Sequence, residues 1–93
     1  MTVEIQWDPA KGDANLNKHG VAFEEAATSF ADPLSLTIQD PLQSQGESRF
    51  VLIGRAQAGR LLVVVHVERG DSIRVISART ATRKERKTYE EIT

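Results

Sequence analysis

Arginine, lysine and histidine are the residues whose type and spacing point to chemistry, and most of them lie in the second half of the chain. The segment from Arg79 to Lys87 holds Arg79, Arg83, Lys84, Arg86 and Lys87 against one acid, Glu85. A helix is expected to begin inside it, because Thr82-Arg83-Lys84-Glu85 fits the S/T-x-x-E capping box, in which two side chains satisfy two otherwise orphan backbone donors. Cations in the first turn meet the positive end of the helix dipole and destabilise it unless an anion is present. Arginine offers a fixed fork of donors to phosphate oxygens, and histidine titrates near neutrality. Arg49, His66, Arg79 and Arg83 are therefore expected to stabilise charge and move protons at a phosphodiester. Lys84, Arg86 and Lys87 are expected to contact an RNA backbone, together with Lys18 and His19 at the end of an earlier helix. The same residues also permit plainer readings: a solvated charged helix, surface ion pairs such as Arg49 with Glu68, and, for Lys18 and His19, complementation of a helix dipole.

The elements that must position these residues can be read from periodicity and turn chemistry. Val3 to Trp7 alternates as a short strand, with Trp7 expected in the core. Asp8-Pro9 then reads as N-cap and first helical residue of a helix running to about His19 and ended by Gly20. Phe23, Ala26, Ala27 and Phe30 follow helical spacing, so a second helix is expected to bury that stripe and stop before Asp32-Pro33. From Leu34 the period becomes two, giving strands near 34–39, 48–55, 60–69 and 72–79, with Asp40 to Gly46 as the longest loop. In the last helix Arg83, Arg86 and Glu90 share one face, and Ala81, Glu85, Tyr89 and Ile92 form the packing side.

Turn lengths predict the strand register. A two-residue hairpin at Gly70-Asp71 pairs Arg69 with Ser72, and hence His66 with Val75, Val64 with Ser77 and Leu62 with Arg79. A four-residue loop at Ala56 to Gly59 pairs Arg55 with Arg60 and Arg49 with His66. Side chains alternate across a sheet, so Arg49, Arg55, His66, Glu68, Ser77 and Arg79 are expected on one polar face. Leu61, Val63, Val65, Val67, Phe50, Leu52, Ile76 and Ala78 are expected on the core face, with Arg74 as its one charge.

Composition limits the remaining possibilities. Ninety-three residues fit one domain, 1–93. The net charge of −1 hides two Lys/Arg against seven Asp/Glu in residues 1–46, and ten against six in 47–93, an asymmetry that suits an electrostatic partner for the basic half. There is no cysteine, which excludes disulfides and thiolate chemistry and agrees with a reducing compartment. The N-terminus shows no secretory pattern and the apolar run Leu61 to Val65 is too short to span a bilayer, so a soluble cytoplasmic protein is expected. No Gly-rich phosphate loop, Gly-x-Ser-x-Gly or metal-ligand spacing occurs, and neither a metal nor another cofactor is expected.

Three runs carry a family resemblance: Trp7-Asp8-Pro9-Ala10-Lys11; Asn15-Leu16-x-Lys18-His19-Gly20-Val21-x-Phe23-Glu24-Glu25-Ala26; and Phe30-Ala31-Asp32-Pro33. With Arg49-Phe50, Ile53-Gly54, Gly59-Arg60-Leu61-Leu62-Val63-Val64 and Ile73-Arg74-Val75-Ile76-Ser77-Ala78-Arg79 followed by Glu85 and Tyr89, the chain resembles the BrnT toxins of bacterial type II toxin–antitoxin systems over nearly its whole length. The resemblance implies a RelE-like α+β fold, with two N-terminal helices on a mostly antiparallel sheet and a basic C-terminal helix. It implies RNA cleavage that halts translation, and neutralisation by a DNA-binding BrnA antitoxin in a hetero-oligomer. Lys18, His19, Arg49, Arg79, Glu85 and Tyr89 fall on recurrent positions of that family; Ala22 and Thr80 depart from it. The expected activity is a metal-independent endoribonuclease in which the 2′-hydroxyl attacks the adjacent phosphate. Arg79 and Arg83 would hold the developing charge with help from Arg49, and His66 would act as general acid or base. The alternatives are a non-catalytic nucleic-acid-binding or regulatory module and a docking site for an acidic partner segment.

Overall fold

The computed structural model describes residues 3–40 and 48–92, residue 92 by its backbone alone. In chain order the elements are β1 (Glu4–Gln6), α1 (Pro9–His19), α2 (Phe23–Thr28) running into a 3-10 turn (Ser29–Ala31), β2 (Leu36–Gln39), β3 (Arg49–Arg55), β4 (Leu61–Arg69), β5 (Ser72–Thr80) and α3 (Arg83–Ile92). The strands form one sheet of order β1-β5-β4-β3-β2, antiparallel except for the parallel pair β1–β5. The expected α+β class and helix and strand order are found. The expected long loop lies, beyond Asp40, outside the described residues, as does the side chain of Ile92.

Local chemistry explains the first helices. Asp8 Oδ1 accepts the N–H of Ala10 at 2.9 Å with Pro9 at the first helical position, a cap worth about 1 kcal/mol. Gly20 closes α1 at φ +70, where its N–H reaches the Leu16 carbonyl and a β-carbon would be strained. Ala22 supplies no side-chain cap, and α2 ends at Thr28, so Phe30 of the predicted stripe reaches the sheet from the 3-10 turn. That turn lies directly on β3: a β-carbon on Gly54 would sit 2.9 Å from the Ser29 carbonyl oxygen.

Val21, Phe23 and Ala26 pack on Leu52, Leu62, Val64, Val75 and Ala78, with Trp7 edge-on to Phe23 at 6.3 Å. This core face differs from the expected one by a residue. The β3–β4 loop contains three residues, 57–59, because the Ala56 N–H donates to the Arg60 carbonyl. Phe50 therefore pairs with His66, and Arg49 with Val67. Between β4 and β5 the hairpin pairs Arg69 with Ser72 and His66 with Val75 as expected, but Ile76 is then bulged out, and Val65 pairs with Ser77, Val64 with Ala78 and Val63 with Arg79. His66 is consequently in the helix-covered core, not on the face of Arg49 and Arg79. The opposite face carries Leu61, Val63, Val65, Val67, Arg49, Arg55, Ser77 and Arg79. There α3 and strands β2 and β3 border a cleft of about 230 Å³ lined by Leu36, Ile38, Val51, Ile53 and Thr88.

Candidate nucleic-acid interface

Arg79 is the hinge between the sheet and the basic helix. Its Nη1 and Nη2 donate to Glu85 Oε1 and Oε2, both at 2.8 Å, and Nη1 also reaches the Thr80 carbonyl at 3.3 Å. The capping box forms as predicted: Thr82 N–H donates to Glu85 Oε1 at 2.8 Å, and Glu85 N–H to Thr82 Oγ1 at 3.2 Å. The Arg79 hydrogen bonds lead the effects that draw the Glu85 carboxyl down to about 2, against the opposing effect of burial, with the Thr82 N–H assisting. Glu85 in turn raises the affinity of Arg79 for its proton. The pair ties the first turn of α3 to the end of β5. Arg83, Lys84, Arg86 and Lys87 are left exposed, Lys87 standing 3.9 Å from Glu91. Arg83 and Lys84 sit in the first turn, where the free N–H groups and dipole of a helix attract anions.

A second cluster fastens the other end of α3. Tyr89 donates its hydroxyl to Asp32 Oδ2 at 2.6 Å, and the same oxygen accepts the Arg55 N–H at 2.8 Å, while Asp32 Oδ1 accepts the Leu34 N–H at 2.9 Å. Burial pushes the Asp32 carboxyl up, but these bonds outweigh it and hold it below the ordinary range. The bond to Asp32, with burial, pushes the Tyr89 phenol up. Tyr89 thus packs, as its helical side predicted, with the Arg55 guanidinium 5.7 Å from its ring centre.

The other predicted residues are dispersed. Arg49 Nε lies 3.2 Å from Asp40 Oδ2 in an ion pair without hydrogen-bond geometry, so among the described residues its acid is Asp40 and not Glu68. It stands four strand positions and two strands from Arg79, roughly 16 Å between α-carbons at standard sheet spacings, and does not share one phosphate with it. His66 is 1% exposed, edge-on to Phe30 at 4.9 Å and stacked on Phe50 at 5.8 Å. Its Nε2 lies 3.2 Å from Glu68 Oε2, and its buried Nδ1 has no hydrogen-bond partner among the described residues. Lys18 and His19 do come near the basic strand: with Lys11, Asn15, Ile76 and Ser77 they line a cleft of about 250 Å³ between α1 and β5.

Asn15 and Asp32 went unrecognised in the sequence. Asn15 is buried in α1, donates to the carbonyls of Val21 and Ala78 at 2.8 Å, and accepts the Ala78 N–H at 3.1 Å. A signal existed, since Asn competes with the helix backbone and is unfavourable in a helix interior unless its amide is used. Asp32 read only as a helix stop before Pro33, and its bond to Tyr89 spans 57 positions that no local pattern records.

The family model described as the ribonuclease toxin BrnT of type II toxin–antitoxin systems matches residues 7–85. Among solved structures, the chain is similar to the Brucella abortus ribonuclease toxin BrnT, at 25% identity and a TM-score of 0.64, over 88% of this chain and 100% of that one. No curated protein matches it. The matched residues include Lys18, His19, Arg49, Arg79 and Glu85, and the chain belongs to the BrnT family of ribonuclease toxins of type II toxin–antitoxin systems.

Proposed function

We propose that this protein is a RelE-like, cytoplasmic toxin that cleaves RNA without a metal, halts translation and is neutralised by a BrnA-type antitoxin in a hetero-oligomer. Family membership supports the activity. The observation that carries the site is the anchoring of the α3 N-terminus beside Arg79 by Glu85. In this reading the RNA 2′-hydroxyl attacks the adjacent phosphate. The 2′-hydroxyl gives its proton to solvent water as the bond to phosphorus forms, negative charge grows on the phosphorane oxygens, and the 5′-oxygen leaves as its bond to phosphorus breaks, taking a proton from water. Arg83 and the free N–H groups of the α3 first turn hold that charge, with Lys84, Arg86 and Lys87 along the strand that follows. Arg79 acts mainly as the positioning residue. Glu85 occupies one N–H on each of its terminal nitrogens, which leaves Nε–H and an outer N–H for a phosphate oxygen. Arg49, held by Asp40, is placed to contact RNA farther along the sheet and not at the reacting phosphate. The buried His66 supports the fold, and its placement argues against the proton-transfer role expected for it.

The test is cleavage of single-stranded RNA by purified protein in excess chelator, comparing wild type with Arg83→Ala and Arg79→Lys. Wild type should leave 2′,3′-cyclic phosphate ends, and Arg83→Ala should cut at least tenfold more slowly. Equal cutting by Arg83→Ala removes that residue, and a metal requirement removes the mechanism. The involvement of Arg79 in an ion pair favours one second reading, a non-catalytic RNA-binding module. Salt-sensitive binding with no cleavage would select it.

A further inference from the structure

We propose that the cleft between α1 and the outer half of β5 is a second phosphate subsite, in which Lys11, Lys18, His19 and Ser77 hold the RNA backbone on one side of the phosphate bound at α3. The inference rests on the reading of the protein as an RNA-cleaving enzyme and adds Lys11 and Ser77 to its substrate contacts.

The subsite follows from how β5 is completed. β1 pairs with β5 only from Ser72 to Arg74. Beyond that the outer edge of β5 is met by a helix: Asn15 takes both the N–H and the carbonyl of Ala78, as a neighbouring strand would. Lys11, Ala14, Asn15 and Lys18 are spaced by three and four residues, so they lie on one face of α1. Fixing Asn15 against the strand turns both lysines toward it. Lys11 and Lys18 stand seven residues apart, about 10 Å along the helix, and so form a row along the strand edge.

Three further features make this row a nucleic-acid subsite. The lining of about 250 Å³ contains the lysines Lys11 and Lys18 beside His19 and, among the described residues, no carboxylate. Among the described residues these three make no ion pair or side-chain hydrogen bond, in contrast to Arg49, Arg60 and Arg79, each held by an acid. Dipole complementation accounts for Lys18 and His19 in the last turn of α1, but not for Lys11 in its first half. Bulges re-aim side chains next to sites, and the bulge at Ile76 is what brings Ile76 and Ser77 into the cleft lining. Ser77 lies two residues from Arg79, about 7 Å along the strand, so one polyanion crossing the β5 edge meets both clusters. An open row of cations suits a linear chain of phosphates better than a compact anion.

The experiment measures binding of a 12-nucleotide single-stranded RNA, made uncleavable by 2′-O-methylation, by fluorescence anisotropy between 50 and 200 mM salt. Each phosphate contact on a single strand contributes about −0.7 to the slope of log K against log salt concentration. Lys11→Gln/Lys18→Gln should therefore make the slope less negative by about 1.4 and weaken binding about tenfold or more at 50 mM salt. Both positions are exposed, and an unchanged urea midpoint establishes that the variant is folded. A slope equal to that of a wild type that binds and cleaves RNA overturns the subsite and leaves the proposed activity standing. Unchanged RNA binding with weakened antitoxin binding overturns it too, and assigns the cleft to the protein partner. A wild type that neither binds nor cleaves RNA overturns both.

Discussion

Replacing Glu85 with glutamine separates the structural role of the Arg79–Glu85 pair from its charge. Gln can still accept the Thr82 N–H and keep the capping box, but it removes the anion that faces both terminal nitrogens of Arg79. The carboxyl is drawn from an ordinary 4.5 to about 2, a shift equivalent to roughly 3 kcal/mol if the charges were shielded from water. They are not: the side chains of Arg79 and Glu85 are 42% and 26% exposed, and solvent screening reduces the contribution to about 1–2 kcal/mol. A depressed carboxylate stabilises the fold above its unfolded value, and that contribution disappears as pH falls through the folded one. Glu85→Gln should thus be about 1–2 kcal/mol less stable than wild type at pH 7, a melting temperature lower by roughly 5–15 °C. The difference should shrink as pH falls from 4.5 and close near 2. Urea unfolding followed by the fluorescence of Trp7, the one tryptophan, reads both quantities. A stability gap of the same size at pH 7 and pH 2.5 would refute the electrostatic origin, and no gap at pH 7 would show that the pair does not hold α3.

Three other substitutions test the remaining contacts. Asn15→Ala leaves the N–H and carbonyl of Ala78 without their buried partner and should lower stability by about 2–4 kcal/mol; a loss under 1 kcal/mol in urea would mean the β5 edge is satisfied otherwise. Tyr89→Phe removes the hydroxyl from Asp32 and should cost about 1–2 kcal/mol, with increased amide exchange confined to α3 and the Asp32 turn. His66→Leu nearly conserves volume and removes a buried unpaired nitrogen, so stability should stay within about 1.5 kcal/mol of wild type; RNA cleavage and its pH profile should be retained, and loss of cleavage in the folded variant would restore a proton-transfer role.

The elements of the fold were legible where a single residue type decides the backbone. Asp8-Pro9 and Gly20 bound α1, Gly70-Asp71 turns the last hairpin, and Thr82 with Glu85 starts α3. Register was legible only next to the Gly70-Asp71 turn, where Arg69 pairs with Ser72 and His66 with Val75 as expected; the reason it was lost beyond that is physical and visible in β4. Leu61, Leu62, Val63 and Val64 are all buried, because β4 is the middle strand and is covered on both faces. A strand buried on both sides loses the alternation that tells one face from the other. With that guide missing, a loop one residue shorter than expected and the bulge at Ile76 were enough to move His66 from the predicted polar face into the core. The basic segment survived that error because its charges sit on an exposed helix whose start is written locally. The closeness of Lys11 and Lys18 to Ser77 depends on Asn15, whose partner is remote in sequence.

That remoteness carries a consequence for when the protein becomes dangerous to the cell that makes it. Asn15 and Ala78 are 63 positions apart, so at ribosomal rates of about 5–20 residues per second roughly 3–13 s separate the synthesis of α1 from that of the strand it completes. During that interval α1 has no edge to lie against, and neither Arg79 nor α3 exists. The nascent chain therefore holds cations but lacks the arrangement proposed to bind RNA, and a chain interrupted before Ala78 never acquires it.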